Sequence, residues 1–187
     1  ETTPAVFVAA DLIAQAEHSP GSSVLITWNR QLWDSVAAEL DVQLTTLERG
    51  GTTRESLEGF GALILVADRD EAARLANSLA TEHLHIACAD ADALVDQIHN
   101  AGAIFVGPYT PVAVGDYVAG PSHVLPTGAT ARFASGLTSN DFIRSSSVIH
   151  FTAEGFAEVA DDVIRLATTE GLTGHAASIA KRRNHAG

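Results

Sequence analysis

Ala62-Leu63-Ile64-Leu65-Val66 is the stretch on which the fold turns. It is the longest clean strand signal in the chain. A continuous apolar run of this length predicts a strand in a sheet covered on both faces, the environment of parallel sheets. Working outward, Val24-Leu25-Ile26-Thr27 upstream and Leu84 to Ala87 and Ala103-Ile104-Phe105-Val106 downstream are further short strand candidates. Helical patterns separate them. Val6 to His18 carries Val6, Ala9, Leu12, Ile13 and Ala16 near helical spacing and is stopped by Ser19-Pro20-Gly21. Arg30 to Leu40 carries Leu32, Trp33, Val36, Ala37 and Leu40, and a short helical piece is expected over Arg54 to Glu58 after a Gly50-Gly51 turn. Asp68 or Asp70 can cap a helix to Leu79, and Asp90 one through Ile98 that ends at Asn100-Ala101-Gly102. This alternation predicts an α/β layer with a largely parallel sheet. Ser147 to His150 reads as one more strand. Thr152 caps a long helix to Thr169, Gly171 ends it, and a last helix or tail covers Thr173 to Arg183. The expected division is residues 1–137 as the α/β part and 138–187 as a mostly helical appendage.

The 187 residues suffice for one good core. With 11 basic and 23 acidic side chains the net charge is −12, which argues against nucleic acid or an anionic membrane as partner. No apolar run approaches the roughly 18 residues of a membrane span. Glu1-Thr2-Thr3-Pro4 has no basic or apolar region of a signal peptide, and the chain lacks methionine altogether, which suggests a processed, cut or partial product. The single cysteine, Cys88, lies beside Ile86 and Ala87 and reads as a core residue; a disulfide framework is excluded, which suits a reducing, cytoplasmic setting. No dinucleotide, phosphate-loop, nucleophile-elbow or CxxC motif is present. Lys181-Arg182-Arg183 is a short basic tail of a kind suited to a helix C-terminus.

The longest irregular region runs from Gly107 to about Leu137, around Gly115-Asp116-Tyr117-Val118-Ala119-Gly120-Pro121-Ser122-His123-Val124-Leu125-Pro126-Thr127. Loops of that length in a compact domain are often functional. Asp and His can bind metal or handle protons, while glycine permits close backbone approach. Three other polar clusters accompany it. Gln15 and His18 share a helix face, as metal donors or simply as a polar helix end. Glu82 and His83 stand at a helix-to-strand junction, where a carboxylate and an imidazole offer bases of different pKa, or merely an exposed corner; His85 alternates with His83 and could equally be a strand surface residue. Glu170-Gly171-Leu172-Thr173-Gly174-His175 can aim a Glu and a His outward, or simply cap two helices.

In order and spacing, Asp11-Leu12-Ile13-Ala14-Gln15-Ala16-Glu17-His18, Glu82-His83-Leu84, the loop with its GDY and His123-Val124-Leu125-Pro126-Thr127, and Glu170 through His175 resemble histidinol dehydrogenase, the last enzyme of histidine biosynthesis. The resemblance covers essentially the whole chain but only the C-terminal portion of that enzyme, beginning partway through its first Rossmann-like domain. It implies zinc ligation by Gln15, His18, Asp116 and His175, the last supplied across a homodimer. It implies that His83 is the general base, that Glu82 activates water, and that His123 and Glu170 contact substrate. Gln15, His18, His83, Asp116 and His175 would also face that substrate, L-histidinol, which is oxidised to L-histidine through the aldehyde by two NAD+. Most NAD+ contacts are expected in the missing N-terminal half, which a separate chain or segment would have to supply. Two departures stand out: Ala80-Thr81 replaces the usual Gly-Pro before Glu82-His83, and Ser122 replaces the Asn before His123. The competing expectation is a non-catalytic zinc- or imidazole-binding module that assembles with another chain.

Overall fold

The computed structural model describes residues 3–18 and 20–183, so Ser19 of the expected helix stop lies outside the described residues. The chain divides into two units, Glu1–Phe142 and Ile143–Gly187.

In the first unit, helix α1 (Ala5–Ala16) leads to strand β1 (Val24–Thr27), then α2 (Arg30–Leu44), α3 (Gly50–Phe60) and β2 (Ala62–Leu65). Next come α4 (Arg69–Leu79), β3 (His83–Ile86), α5 (Ala91–Val95), β4 (Ala103–Val106) and the short α6 (Val112–Tyr117). The strands form two parallel pairs, β1 with β2 and β3 with β4, in registers that set Val24 opposite Ala62 and His83 opposite Ala103. The α/β expectation is met.

Side chains alternate across a strand, and helices cover both faces. On one face, Leu25 and Leu63 pack with Ala9, Leu12 and Val36. On the other, Ile26, Leu84, Ile86, Ile104 and Val106 pack with Ala73, Ala76, Leu94 and Ile98. The small alanines of α4 let that helix lie close to the strands. Ala62 and Leu65 at the two ends of β2 are nevertheless exposed, Leu65 by 42%, so the strand expected to be covered on both faces is covered only in its middle.

Local chemistry explains where the boundaries moved. Helix α1 ends at Ala16, so His18 stands just beyond the helix rather than on its face. Gly50 and Gly51 begin α3 rather than form a turn before it; a Cβ on Gly50 would strike the Leu44 carbonyl at the end of α2. Asp68 is the cap of α4 and accepts from the Glu71 amide at 2.8 Å. Asp90 makes no side-chain cap, and α5 stops at Val95. Beyond it, Asn77 organises the turn: its Oδ1 accepts from the His99 and Asn100 amides at 2.7 and 3.1 Å, and its Nδ2 donates to Gln97 O at 2.8 Å. Strand β3 starts at His83, one residue earlier than expected, and Gly115-Asp116-Tyr117 is helical rather than irregular.

In the second unit, Thr152 caps α7 (Ala153–Thr169) by accepting from the Gly155 amide at 3.1 Å. Gly171 supplies the positive φ, 75°, that turns the chain into α8 (Thr173–Arg183). An Arg183–Asp161 ion pair and helix packing join the two helices. The expected strand at Ser147–His150 does not form: Val148 and Ile149 are 94% and 79% exposed and have no neighbouring strand among the described residues. No described helix is long and apolar enough to cross a membrane.

Candidate active site

Three elements bring the first unit's polar residues to one cleft of about 1610 Å³, lined by Gln15, His18, Glu82, His83, Asp116 and His123.

The first element is the end of α1. Gly21 folds back against it so closely that a Cβ would collide with the Gln15 carbonyl. Ser56 of α3 holds Gly21 from both sides, its hydroxyl accepting from the Gly21 amide at 2.9 Å and donating to the Gly21 carbonyl at 3.0 Å. Ser56 is buried, so these bonds fix the corner that presents Gln15 and His18.

The second element is the start of β3. Ala80, fully buried, closes α4 in the left-handed region with φ 48° and ψ 55°, a conformation that suits glycine. Gly102 lies where a Cβ would come within 2.6 Å of the Glu82 carbonyl and 3.0 Å of Pro126 Cδ. Buried Pro126 of the long loop is thereby seated beside Glu82.

The third element is α6, which rests on β4 through Gly115; a Cβ there would enter the Phe105 ring at 2.5 Å. That approach brings Asp116 to His83, with Asp116 Oδ1 at 3.7 Å from His83 Nε2. Their side chains are 15% (His83) and 31% (Asp116) exposed, and the His83 ring leans on Phe105 at 5.9 Å. His83 lines the cleft, and its Nε2 is buried without a hydrogen-bond partner, a costly arrangement unless a ligand or reactant completes it.

His85, for which a place on the strand surface is one of two readings, is half-buried. Its Nδ1 lies 3.2 Å from Asp11 Oδ2 and its Nε2 2.8 Å from the Gly107 carbonyl. Both partners only accept, so the ring serves both by carrying two protons. The Asp11 hydrogen bond raises the His85 pKa; burial opposes it, and the Gly107 carbonyl and the Asp11 charge add to the rise. Asp11 is one helical turn before Gln15, and Gly107 opens the loop that carries Asp116. His85 therefore ties together the two segments that bear Gln15 and Asp116. Sequence reading gave neither Asp11 nor His85 a role, because a contact 74 residues apart has no local signal.

His123 is exposed on the loop, which is closed by the Leu137 amide donating to the Val124 carbonyl at 2.9 Å. Glu170 and His175 belong to the second unit, where both are exposed, at the end of α7 and in the first turn of α8.

A family model described as histidinol dehydrogenase matches residues 1–183. The chain belongs to the histidinol dehydrogenase family. Histidinol dehydrogenase of Rhodopirellula baltica is 54% identical over 182 residues, 97% of this chain and 40% of that protein. The Desulfotalea psychrophila enzyme of the same name is 47% identical over 183 residues, 97% of this chain and 42% of its own length. Among solved structures, the crystal structure of histidinol dehydrogenase from Elizabethkingia anophelis superposes with a TM-score of 0.91 at 29% identity, over 98% of this chain and 42% of that one. The chain thus spans about two-fifths of the length of the histidinol dehydrogenases it matches.

The donors Gln15, His18 and Asp116 are of the N and O types that suit zinc, and they line one cleft. Among the described residues, however, no group of three or more His, Cys, Asp or Glu is placed to hold a metal ion. The donor chemistry fits a zinc ion, and the first unit alone falls short of a full coordination shell.

Proposed function

We propose that this chain carries the base and metal-binding half of a histidinol dehydrogenase site, acting on L-histidinol with zinc and two NAD+. The observation that carries this reading is the His83–Asp116 pair: two residues lining one cleft, with a buried imidazole nitrogen that has no hydrogen-bond partner 3.7 Å from the proposed metal-binding carboxylate.

In this reading Gln15, His18 and Asp116 hold a zinc ion, with His175 of a second copy as the fourth ligand. A zinc ion held there would orient the imidazole and amine of the substrate. His83, free at Nε2, takes the hydroxyl proton in the first oxidation. Glu82, next to it in the chain and half-buried in the same cleft, draws a proton from water in the second. NAD+ would supply the hydride acceptor, at contacts lying mostly in the part of the family's length that this chain does not match. His123 and Glu170 contact substrate. A homodimer is supported by Val159, Val163 and Leu166, which form an exposed apolar stripe on α7 at 36%, 37% and 64% exposure. Histidine biosynthesis in the cytoplasm is the corresponding setting.

Zinc content after equilibrium dialysis tests the division of roles. His18→Ala and Asp116→Ala should release zinc, while His83→Ala should retain it. Release by His83→Ala, with His18→Ala still loaded, would contradict the assignment.

A further inference from the structure

The loop that carries His123 is tied to the rest of its unit by very little. Among the described residues, a single hydrogen bond joins residues 120–137 to a residue outside that segment: Arg132 Nη2 donates to the Ser78 carbonyl. The other hydrogen bonds of the segment are internal. The Thr130 amide and hydroxyl both donate to the Thr127 carbonyl, at 3.1 and 2.6 Å. The Phe133 and Ala134 amides donate to the Thr130 carbonyl at 3.0 and 2.9 Å, and the Leu137 amide closes the loop on Val124.

Both ends of the Arg132 contact are chemically apt. Ser78 lies in the last turn of α4, where carbonyls lack intrahelical partners and the helix end favours a cation. Helix α4 has no basic residue of its own in that turn, so the loop supplies one. The second prong of the guanidinium, Nη1, donates to the Ala129 carbonyl at 3.0 Å. Gly128 and Ala129 both hold positive φ, 58° and 64°. Glycine adopts that region freely; alanine holds it when its surroundings over-determine the backbone. One planar fork thus grips a strained turn and the end of α4 together.

The place that it grips matters for the site. Helix α4 leads through Ala80 and Thr81 directly into Glu82 and His83. On the other side of that junction, Pro126 is seated against Gly102 beside the Glu82 carbonyl. Between the two fastenings, Thr127, Gly128 and Ala129 line the cleft, as do His123, Glu82 and His83.

We propose that Arg132 is a positioning residue: a two-pronged clamp that seats the Gly128–Ala129 turn on the end of α4 and thereby holds His123 at the cleft for substrate. The inference rests on the reading of His123 given under Proposed function. Arg132 is exposed, so its loss should free the loop without unfolding the unit. Glu82 and His83 stay in place at the start of β3. Substrate binding should therefore weaken while the chemical step is kept.

Two measurements test this, with Arg132→Met and Arg132→Lys. In the chain alone, amide hydrogen exchange at Phe133, Ala134 and Leu137 should quicken at least tenfold in Arg132→Met. The Ala103 and Gly107 amides, paired between β3 and β4, should not change, nor should the urea midpoint. Lysine keeps the charge but not the fork, so Arg132→Lys should fall between wild type and Arg132→Met. In the chain complemented with the unmatched part of the Rhodopirellula baltica relative, Arg132→Met should raise the KM for L-histidinol at least fivefold. Its kcat should change less than twofold and its zinc content not at all, and Arg132→Lys should recover part of the KM. Unchanged exchange at the three loop amides would overturn the proposal. So would faster exchange with an unaltered KM, or a fall in kcat or zinc content as large as the rise in KM. If wild type makes no NADH, the proposed activity fails by itself, and the loop amides with their lysine rescue still decide the clamp.

Discussion

The surroundings of His83 and of His85 differ sharply, although the two imidazoles stand on the same face of one four-residue strand. His85 has both nitrogens engaged, by Asp11 and by the Gly107 carbonyl, and is cross-linked into the scaffold. His83 has a buried Nε2 with no partner, 3.7 Å from a carboxylate across a cleft. Identical side chains thus differ in use: one ring spends its hydrogen-bonding capacity on structure, and the other keeps one nitrogen without a hydrogen-bond partner. Position on the strand decides which. His85 lies opposite Phe105, deep enough to reach the start of the loop, whereas His83 lies at the strand entrance where α6 returns.

The widest separation between the two should appear in turnover. In the chain complemented with the unmatched part of a relative, His83→Ala should lower histidinol oxidation by about a hundredfold to ten-thousandfold, the usual scale for removing a general base. His83→Ala should leave the urea midpoint nearly unchanged. Equal turnover losses for His83→Ala and His85→Ala would erase the contrast.

Stability should show the reverse order. Asp11→Leu leaves one buried His85 nitrogen without its acceptor, and the first unit should lose about 1–3 kcal/mol in urea unfolding at pH 6. A neutral result would show that the His85 bridge is incidental.

The pH dependence sharpens the same point. The folded-state pKa of His85 is raised above its ordinary value of 6.5, so the folded chain binds that proton more tightly than the unfolded one. Its stabilising contribution is therefore full below about pH 6.5 and is lost as pH rises through the raised folded value. A thermal-stability profile of the chain should decline through that window, and Asp11→Asn should flatten it. A profile unaltered by Asp11→Asn would contradict the assignment.

The smallest effect concerns the approach to His83. Ala80 holds a left-handed conformation at a cost of roughly 1–2 kcal/mol, with φ 48° just before Thr81-Glu82-His83. Ala80→Gly relieves that strain and forfeits one buried methyl worth about 0.8 kcal/mol. The net gain should be at most about 1 kcal/mol, read as a slightly raised urea midpoint. Ala80→Val should destabilise, since a branched residue adopts positive φ poorly.

Local signals were legible in the sequence where local physics decides. β1 and β4 fell at their observed residues because short apolar runs bounded by breakers have one economical conformation. The caps of α4 and α7, Asp68 and Thr152, were readable from side chains able to accept a backbone amide. What failed was context. Ser147–His150 has β-branched Val and Ile but no neighbouring strand among the described residues, and a strand without a partner is not a strand. Gly115 looked like a loop glycine, yet it serves a close helix-to-Phe105 contact that only the fold creates. The four polar words were visible individually, and their family resemblance gave them order. The meeting of three of them at one cleft, and the Asp11–His85 contact that no reading of the words gave, both come from contacts distant in sequence.

The measurement that tests the central claim most directly is NADH formation from L-histidinol and NAD+ by this chain with zinc, mixed with the unmatched part of the Rhodopirellula baltica relative. The account predicts NADH production in the mixture, none from either component alone, and its loss in His83→Ala with zinc retained. A mixture that forms the complex, holds zinc and still yields no NADH would contradict it, as would full activity in His83→Ala.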